Sequence, residues 1–416
     1  MKILWITNTI FPEVYDIISG TNESKVSGGW MIAAAQALLQ DSNIELAIAT
    51  VYHNTIKLKR IKGERALYYL IPYGKGNIKY NKTYEQYWKR IQQEFCPDII
   101  HIHGTEYTHG LSYIKACGSD KVVVSIQGLK SEIAKYYCAG LTPKDIFPNL
   151  TIHDFLKGGI NSEKRKCICS GKYEKDLLRS VKHVIGRTYW DYAHVKTINP
   201  DLHYHFCNET LRNAFYDGSI WSYKKCVPHS IFISQASYPL KGFHFILKAM
   251  PLILKRFPDT TIRVAGEDHS RMGRIWKLKH YTTYWKILDS LIKKYNLKNK
   301  IKYLGNLNAE EMKQEYLRAN VFVCPSSIEN SPNSLCEAQV LGVPVISSYV
   351  GGVPSLMRFK ENYLYRYDDF EQLSQLIIEQ FNVKKFEDIN IASYLNRHSI
   401  INNKIRLTCI YNEILQ

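Results

Sequence analysis

The sequence predicts an α/β protein of two doubly wound, mostly parallel-sheet domains. Three observations carry this expectation. Short β-branched runs alternate with longer segments of helical period, the pattern of sheets flanked by helices. The alternation begins afresh in the second half of the chain. The 416 residues also exceed one core at roughly 150 residues per domain.

In the first half the strand candidates are residues 2–7, 44–51, 66–73, 99–103, 121–126, 184–187 and 204–207, each a short run rich in Ile, Val and Tyr. In the second half they are 230–234, 261–265, 300–304, 321–324 and 344–347, most followed by a turn and a helical pattern. After Lys241 the residues Ile246, Ala249, Met250, Ile253 and Phe257 fall on one helical face, which should pack on a sheet. The boundary is expected between Asp217 and Cys226. This gives an N-terminal domain over 1–222, a C-terminal domain over 223–388, and a helical segment over 389–416 that returns to the first domain. In doubly wound domains ligands bind beyond the carboxyl ends of the strands.

Composition narrows the function classes. Hydrophobic residues make up 45% and charged residues 22%, with 23 Gly and 14 Pro, which excludes disorder, collagen and coiled coil. A formal net charge of +17 calls for something anionic: nucleic acid, acidic lipid or a phosphorylated substrate. The basic residues are spread along the chain without a zinc-finger, RRM or KH signature, which weighs against nucleic acid. The ten cysteines are irregularly spaced and read as reduced thiols; Cys167 and Cys169 form a lone CxC in what reads as a basic loop. No 18 consecutive apolar residues occur, and Asn8 and Pro12 interrupt the apolar start. The expected location is the cytoplasm or the inner membrane face.

The most informative segment is Cys324 to Gly352, CPSSIENSPNSLCEAQVLGVPVISSYVGG. A strand ends at Cys324, a turn follows, and Ser334 opens a helix with Glu337 three residues on. That spacing reads as a capping box, a purely structural device. It also reads as an anion site. The N–H groups of Asn333, Ser334 and Leu335 at a helix start suit phosphate oxygens, and Glu329 and Glu337 suit hydroxyls, which together describe a sugar nucleotide.

With E-x7-E at Glu329 and Glu337, then Gly342-Val343-Pro344-Val345-Ile346 and Gly351-Gly352-Val353-Pro354 in order, the chain resembles the retaining glycosyltransferases of the GT-B fold, family 4. The resemblance implies two Rossmann-like domains facing across a cleft, with the donor on the C-terminal side. It also implies Lys241, before Gly242, on the donor diphosphate, where a fixed cation stabilises a leaving group. The arginine common in the family five residues earlier is Ala236 here, and Ser234 to Pro239 look like a capsule and exopolysaccharide branch. Gln235, Ser237 or Arg187 are candidates for the missing cation.

Other elements extend the resemblance. Ser27-Gly28-Gly29-Trp30 precedes an apolar helix, and the glycines let backbone approach a ligand. The family places such a pair against the donor or the reacting centre. His101-Ile102-His103-Gly104 ends a strand, with both rings on one face. A satisfied histidine pair is one reading; the family's active-site histidine corresponds to His103, near the transferred sugar. Gly305-Asn306-Leu307-Asn308 and Gly266-Glu267-Asp268 end strands, and the former frames the base in the family.

The expected activity is transfer of a sugar from a nucleotide-diphosphate sugar to a saccharide or lipid-linked saccharide, with retention, in cell-surface polysaccharide synthesis. His103, Glu329 and Lys241 are the expected catalytic residues. Gly28, Gly29, Asn333, Ser334, Leu335, Glu337, Leu307 and Gly266 are expected on the donor, with no metal and no cofactor. The rival readings are a sugar-nucleotide 2-epimerase of the same fold and a binding protein for acidic lipid or nucleic acid. Residues 157–182 and 271–302, the latter with Trp276, Tyr281 and Trp285, are the candidate membrane surfaces.

Overall fold

The computed structural model describes residues 1–20, 29–72, 79–268, 272–273, 280–357, 363–383 and 391–416. Two compact units emerge. The first comprises Met1–Glu132, Lys166–Arg212 and Asn396–Gln416; the second comprises Ile133–Arg165 and Asn213–Leu395. Each is a doubly wound α/β unit, as the alternating pattern predicts.

The first unit is built on eight strands: β1 (Lys2–Thr7), β2 (Glu45–Tyr52), β3 (Lys59–Lys62), β4 (Leu67–Pro72), β5 (Ile99–His103), β6 (Val122–Ser125), β7 (His183–Gly186) and β8 (His203–Phe206). Their order is β3-β4-β2-β1-β5-β6-β7-β8, and only the β3–β4 pair is antiparallel. β1 and β5 are buried on both faces, Ile3 and Trp5 on one and Leu4 and Ile6 on the other, so they read as near-continuous apolar runs. β3, Lys-Arg-Ile-Lys, escaped the sequence reading because it is charged; such a strand guards a sheet edge against pairing with another chain.

The second unit has six parallel strands: β9 (Ser230–Ile233), β10 (Thr261–Val264), β11 (Ile301–Tyr303), β12 (Val321–Cys324), β13 (Val345–Ser348) and β14 (Leu364–Tyr365), in the order β11-β10-β9-β12-β13-β14. The helix Phe243–Leu254 lays Ile246, Ala249, Met250 and Ile253 on this sheet.

The units divide differently from the boundary expected at residue 222. Residues 213–222 belong to the second unit because their side chains are anchored there. Lys313 Nζ donates to Asp217 Oδ2 at 2.6 Å, Trp221 Nε1 donates to the Ala319 carbonyl at 2.7 Å, and Phe215 meets Tyr316 edge-on. Residues 133–165, taken from the sequence as part of the first domain, also join the second unit. Leu141, Ile146 and Ile160 enter its core. His244 donates from Nε2 to the Ala139 carbonyl at 2.9 Å while its Nδ1 accepts from the Tyr284 hydroxyl at 3.1 Å. The Asp154 carboxylate accepts from Thr151 and from the N–H of Thr283. Residues 396–416 pack in the first unit, where Leu407, Ile410 and Tyr411 are buried.

Residues 157–182 are not a loop: Ile160–Arg179 is one helix, with Cys167 buried on it. Trp285 is a core residue, and Tyr281 is bonded to Asp289; Trp276 lies outside the described residues. Among the described residues no helix is long and apolar enough to cross a membrane, and no cluster of His, Cys, Asp and Glu suits a metal ion.

Candidate active site

Strand order decides where each unit can bind. In the second unit the chain runs from β9 outward through β10 and β11, then crosses back to β12 on the other side of β9. The switch point is therefore between β9 and β12, and the loops after those two strands are where a doubly wound sheet binds its ligand. Lys241 stands in the loop after β9 and Glu329 in the loop after β12.

The two meet. Lys241 Nζ donates to Glu329 Oε1 at 2.6 Å, and Ser326 Oγ donates to the same oxygen at 2.7 Å. Glu329 Oε2 receives no hydrogen bond among the described residues. The pair is shielded, with 22% of the lysine side chain and 15% of the glutamate side chain exposed. Burial alone would push the Lys241 ammonium down. The Glu329 carboxylate and Tyr238 offset that and hold it above the ordinary lysine range.

Two glycines make the meeting sterically possible. Gly242, at φ +69°, ends the turn that carries Lys241, and a Cβ there would lie 1.8 Å from the Pro325 carbonyl oxygen. Gly351, at φ +50°, would put a Cβ 1.9 Å from the Glu329 carbonyl oxygen, and that oxygen accepts the N–H of Gly352 at 3.0 Å. The Gly-Gly after β13 thus fixes the backbone of Glu329, while Ser327 N–H on the Leu240 carbonyl, at 2.8 Å, ties the two loops together.

The helix beyond this loop corrects the sequence reading. It runs Asn333–Val340 with Pro332 as N-cap, so Ser334 is its second residue and no capping box forms with Glu337. Proline fixes the extended entry and offers no side chain to bond the first turn. The N–H of Leu335 is spent on the Pro332 carbonyl at 3.0 Å, leaving those of Asn333 and Ser334 without a protein acceptor among the described residues. Glu337 is buried, 3.5 Å from the Tyr316 hydroxyl. Gly266 and Gly305 pair backbone to backbone at 2.8 and 3.0 Å, holding together the turns after β10 and β11; Leu307 is partly exposed just beyond.

In the first unit the switch point lies between β1 and β5. His101 and His103 stack at 3.8 Å on β5 but differ in bonding. His101 is satisfied at both nitrogens, by the Tyr411 hydroxyl at 2.7 Å and Ser125 Oγ at 2.6 Å. Neither ring nitrogen of the buried His103 has a partner among the described residues. Burial holds both rings neutral, with help from Arg187 and, for His103, also from His101; His101 is pushed down to about 3 and His103 well below the usual range. A neutral imidazole with a free donor and a free acceptor suits a hydroxyl. His103 lines a cavity with Trp30, Arg187, Asn208, Glu209 and Lys404.

Gly29 opens the helix Gly29–Leu38, and Trp30 stands 5.8 Å from the His103 ring; Gly28 lies outside the described residues. Arg187 is held in this unit by Glu209 Oε1 at 2.5 Å and the Ile126 carbonyl at 2.9 Å. Gln235 and Ser237 bond one another at 3.4 Å. The sequence reading missed Ser326, which shares the Glu329 oxygen, and Tyr411, which separates the roles of the two histidines. It also missed Glu106, whose carboxyl burial pushes up to about 7. For Ser326 the signal was present, as polar residues directly after an apolar strand.

Residues 227–389, less than half of the chain, match the family model described as Glycosyl transferases group 1. The matched residues all lie within the second unit. An uncharacterized glycosyltransferase of Methanocaldococcus jannaschii is 28% identical over 33% of this chain and 31% of its own length. A GDP-mannose-dependent monoacylated alpha-(1-6)-phosphatidylinositol monomannoside mannosyltransferase of Corynebacterium glutamicum is 28% identical over 34% of this chain and 35% of its own. The chain thus spans about a third of the length of these curated relatives. Among solved structures, sucrose-phosphate synthase from Thermosynechococcus elongatus aligns over 100% of this chain and 96% of its own, with TM-score 0.63 and 16% identity. That likeness establishes the fold.

Proposed function

We propose that this protein is a retaining glycosyltransferase that moves a hexosyl group from a nucleotide-diphosphate sugar to a hydroxyl of a saccharide or lipid-linked saccharide, in cell-surface polysaccharide synthesis. The observation that carries the reading is the Lys241–Glu329 pair at the switch point of the matched unit, beside a helix start with free N–H groups at Asn333 and Ser334. A relative named for GDP-mannose and for a phosphatidylinositol monomannoside supports both the donor and the acceptor class.

In this reading Lys241 neutralises charge on the departing diphosphate, its remaining N–H groups directed to phosphate oxygens. The helix start holds the distal phosphate. Glu329 offers its unoccupied Oε2 to hydroxyls of the transferred sugar, and Glu337 takes the ribose. Gly266 and Leu307 border the base; in the first unit, His103 with its free donor and acceptor suits a sugar hydroxyl. The bond from the anomeric carbon to the bridging phosphate oxygen breaks, its electron pair leaving with the diphosphate, as the acceptor oxygen bonds on the same face. The acceptor proton passes to the leaving phosphate oxygen, and no metal ion is needed.

A panel of nucleotide sugars is screened by thermal shift, and the donor that raises the melting temperature is incubated with and without saccharide acceptors. The reading expects acceptor-dependent product of unchanged anomeric configuration by NMR, undiminished by EDTA. Epimerised donor in the absence of acceptor, or an inverted product, refutes it.

A further inference from the structure

Residues 133–165 leave the first unit's chain to pack on the second, and they carry an apolar face that the fold does not cover. The short helix Ile152–Lys157 is fixed from within: Asp154, buried, accepts from Thr151 and from Thr283 N–H at 3.0 Å. Its outer face shows Ile152, Phe155 and Leu156, spaced i, i+3 and i+4, with exposures of 55%, 79% and 76%, and Phe147 in the preceding turn is 64% exposed. Two neighbouring bulky side chains more than three-quarters exposed are unfavourable in water and rigidly presented.

The charge around this face is positive. Lys144, Lys157, Lys164 and Arg165 flank it and form no ion pair among the described residues, and Lys286 reaches the segment through the Pro148 carbonyl at 3.2 Å. Of the three acids in the segment, Asp154 is buried, which leaves Asp145, an ionised carboxylate bonded by Thr142, and Glu163 as two negative charges against the four flanking cations. We propose that this face docks on an acidic lipid bilayer, Phe155 and Leu156 entering the headgroup boundary while the lysines and Arg165 meet the anionic headgroups. The inference does not rest on the transferase reading, because its measurement is binding to lipid.

The test is flotation of the full chain with vesicles of phosphatidylcholine alone and with 30% phosphatidylglycerol, alongside light scattering for oligomeric state. Wild type should float with the acidic vesicles and not the neutral ones. Phe155→Asp with Leu156→Asp should lower partitioning at least about tenfold. Lys157→Ala and Lys164→Ala should each lower it about fivefold at low salt. If the aspartate pair lowers the melting temperature, Phe155→Ser with Leu156→Ser takes its place. Wild type left in solution with acidic vesicles, an aspartate pair that floats as well as wild type, or a dimer that the pair splits without any vesicle binding would each overturn the proposal.

Discussion

Lys241 and Glu329 share a 2.6 Å ion pair across 88 residues of chain, with Ser326 donating to the same carboxylate oxygen. The pair exists because β9 and β12 are neighbours at the point where the second sheet's winding reverses.

Lys241→Ala and Glu329→Ala are expected to lower turnover about a hundredfold or more, the usual effect of removing a preorganised charge partner. Lys241→Arg should not restore it, since a planar guanidinium does not fit a site shaped for a point charge. Single-turnover rates at saturating donor, with melting temperatures as a fold control, check both. Turnover within a factor of three of wild type in either alanine variant sinks the role.

Gly242→Ala and Gly351→Ala should each destabilise the second unit by at least about 2 kcal/mol, because left-handed backbone and a carbonyl within 2 Å both oppose a Cβ. Urea midpoints measure this. Gly20→Ala has open space around its Cβ and should lose only the backbone strain, about 1–2 kcal/mol.

Stability should fall on acidification from near pH 6.5. Burial pushes His101 and His244 down to about 3 and His109 and His398 to about 4, against about 6.5 in an unfolded chain. Between those values the unfolded chain binds more protons. The stabilisation is therefore complete above about pH 6.5 and declines by about 1.4 kcal/mol per pH unit per group down to the folded value. His244→Gln, which keeps a donor for the Ala139 carbonyl without a titrating ring, should flatten the dependence of the unfolding midpoint between pH 6.5 and 4.5. An equally steep dependence in that variant excludes His244 as a contributor.

Asp154→Ala should loosen residues 133–165 from the second unit, costing about 1–3 kcal/mol through the unpaired donors of Thr283 and Thr151. Limited proteolysis should cut the variant near Gly158 and Gly159 faster than wild type. Equal cleavage rates would show that the anchor lies elsewhere.

Much was legible in the sequence because it is local. Alternation of apolar runs with helical periods gave two doubly wound units, and E-x7-E after an apolar strand marked Glu329. Charge hid β3, and a two-residue length hid β14. The capping box was misread because Ser334 and Glu337 have the right spacing, whereas Pro332, two residues earlier, starts the helix. The domain boundary moved because Phe215, Asp217 and Trp221 choose their partners by contacts more than 90 residues away.

By itself, then, the sequence determined which residue types stand at the ends of which strands, since periodicity and turn chemistry act over a few residues. Only the tertiary structure decided that Lys241 and Glu329 neutralise one another, that His101 is satisfied while His103 is not, and that residues 133–165 pack with the second unit. Those outcomes depend on strand order and on contacts between distant segments, which no window of the chain contains.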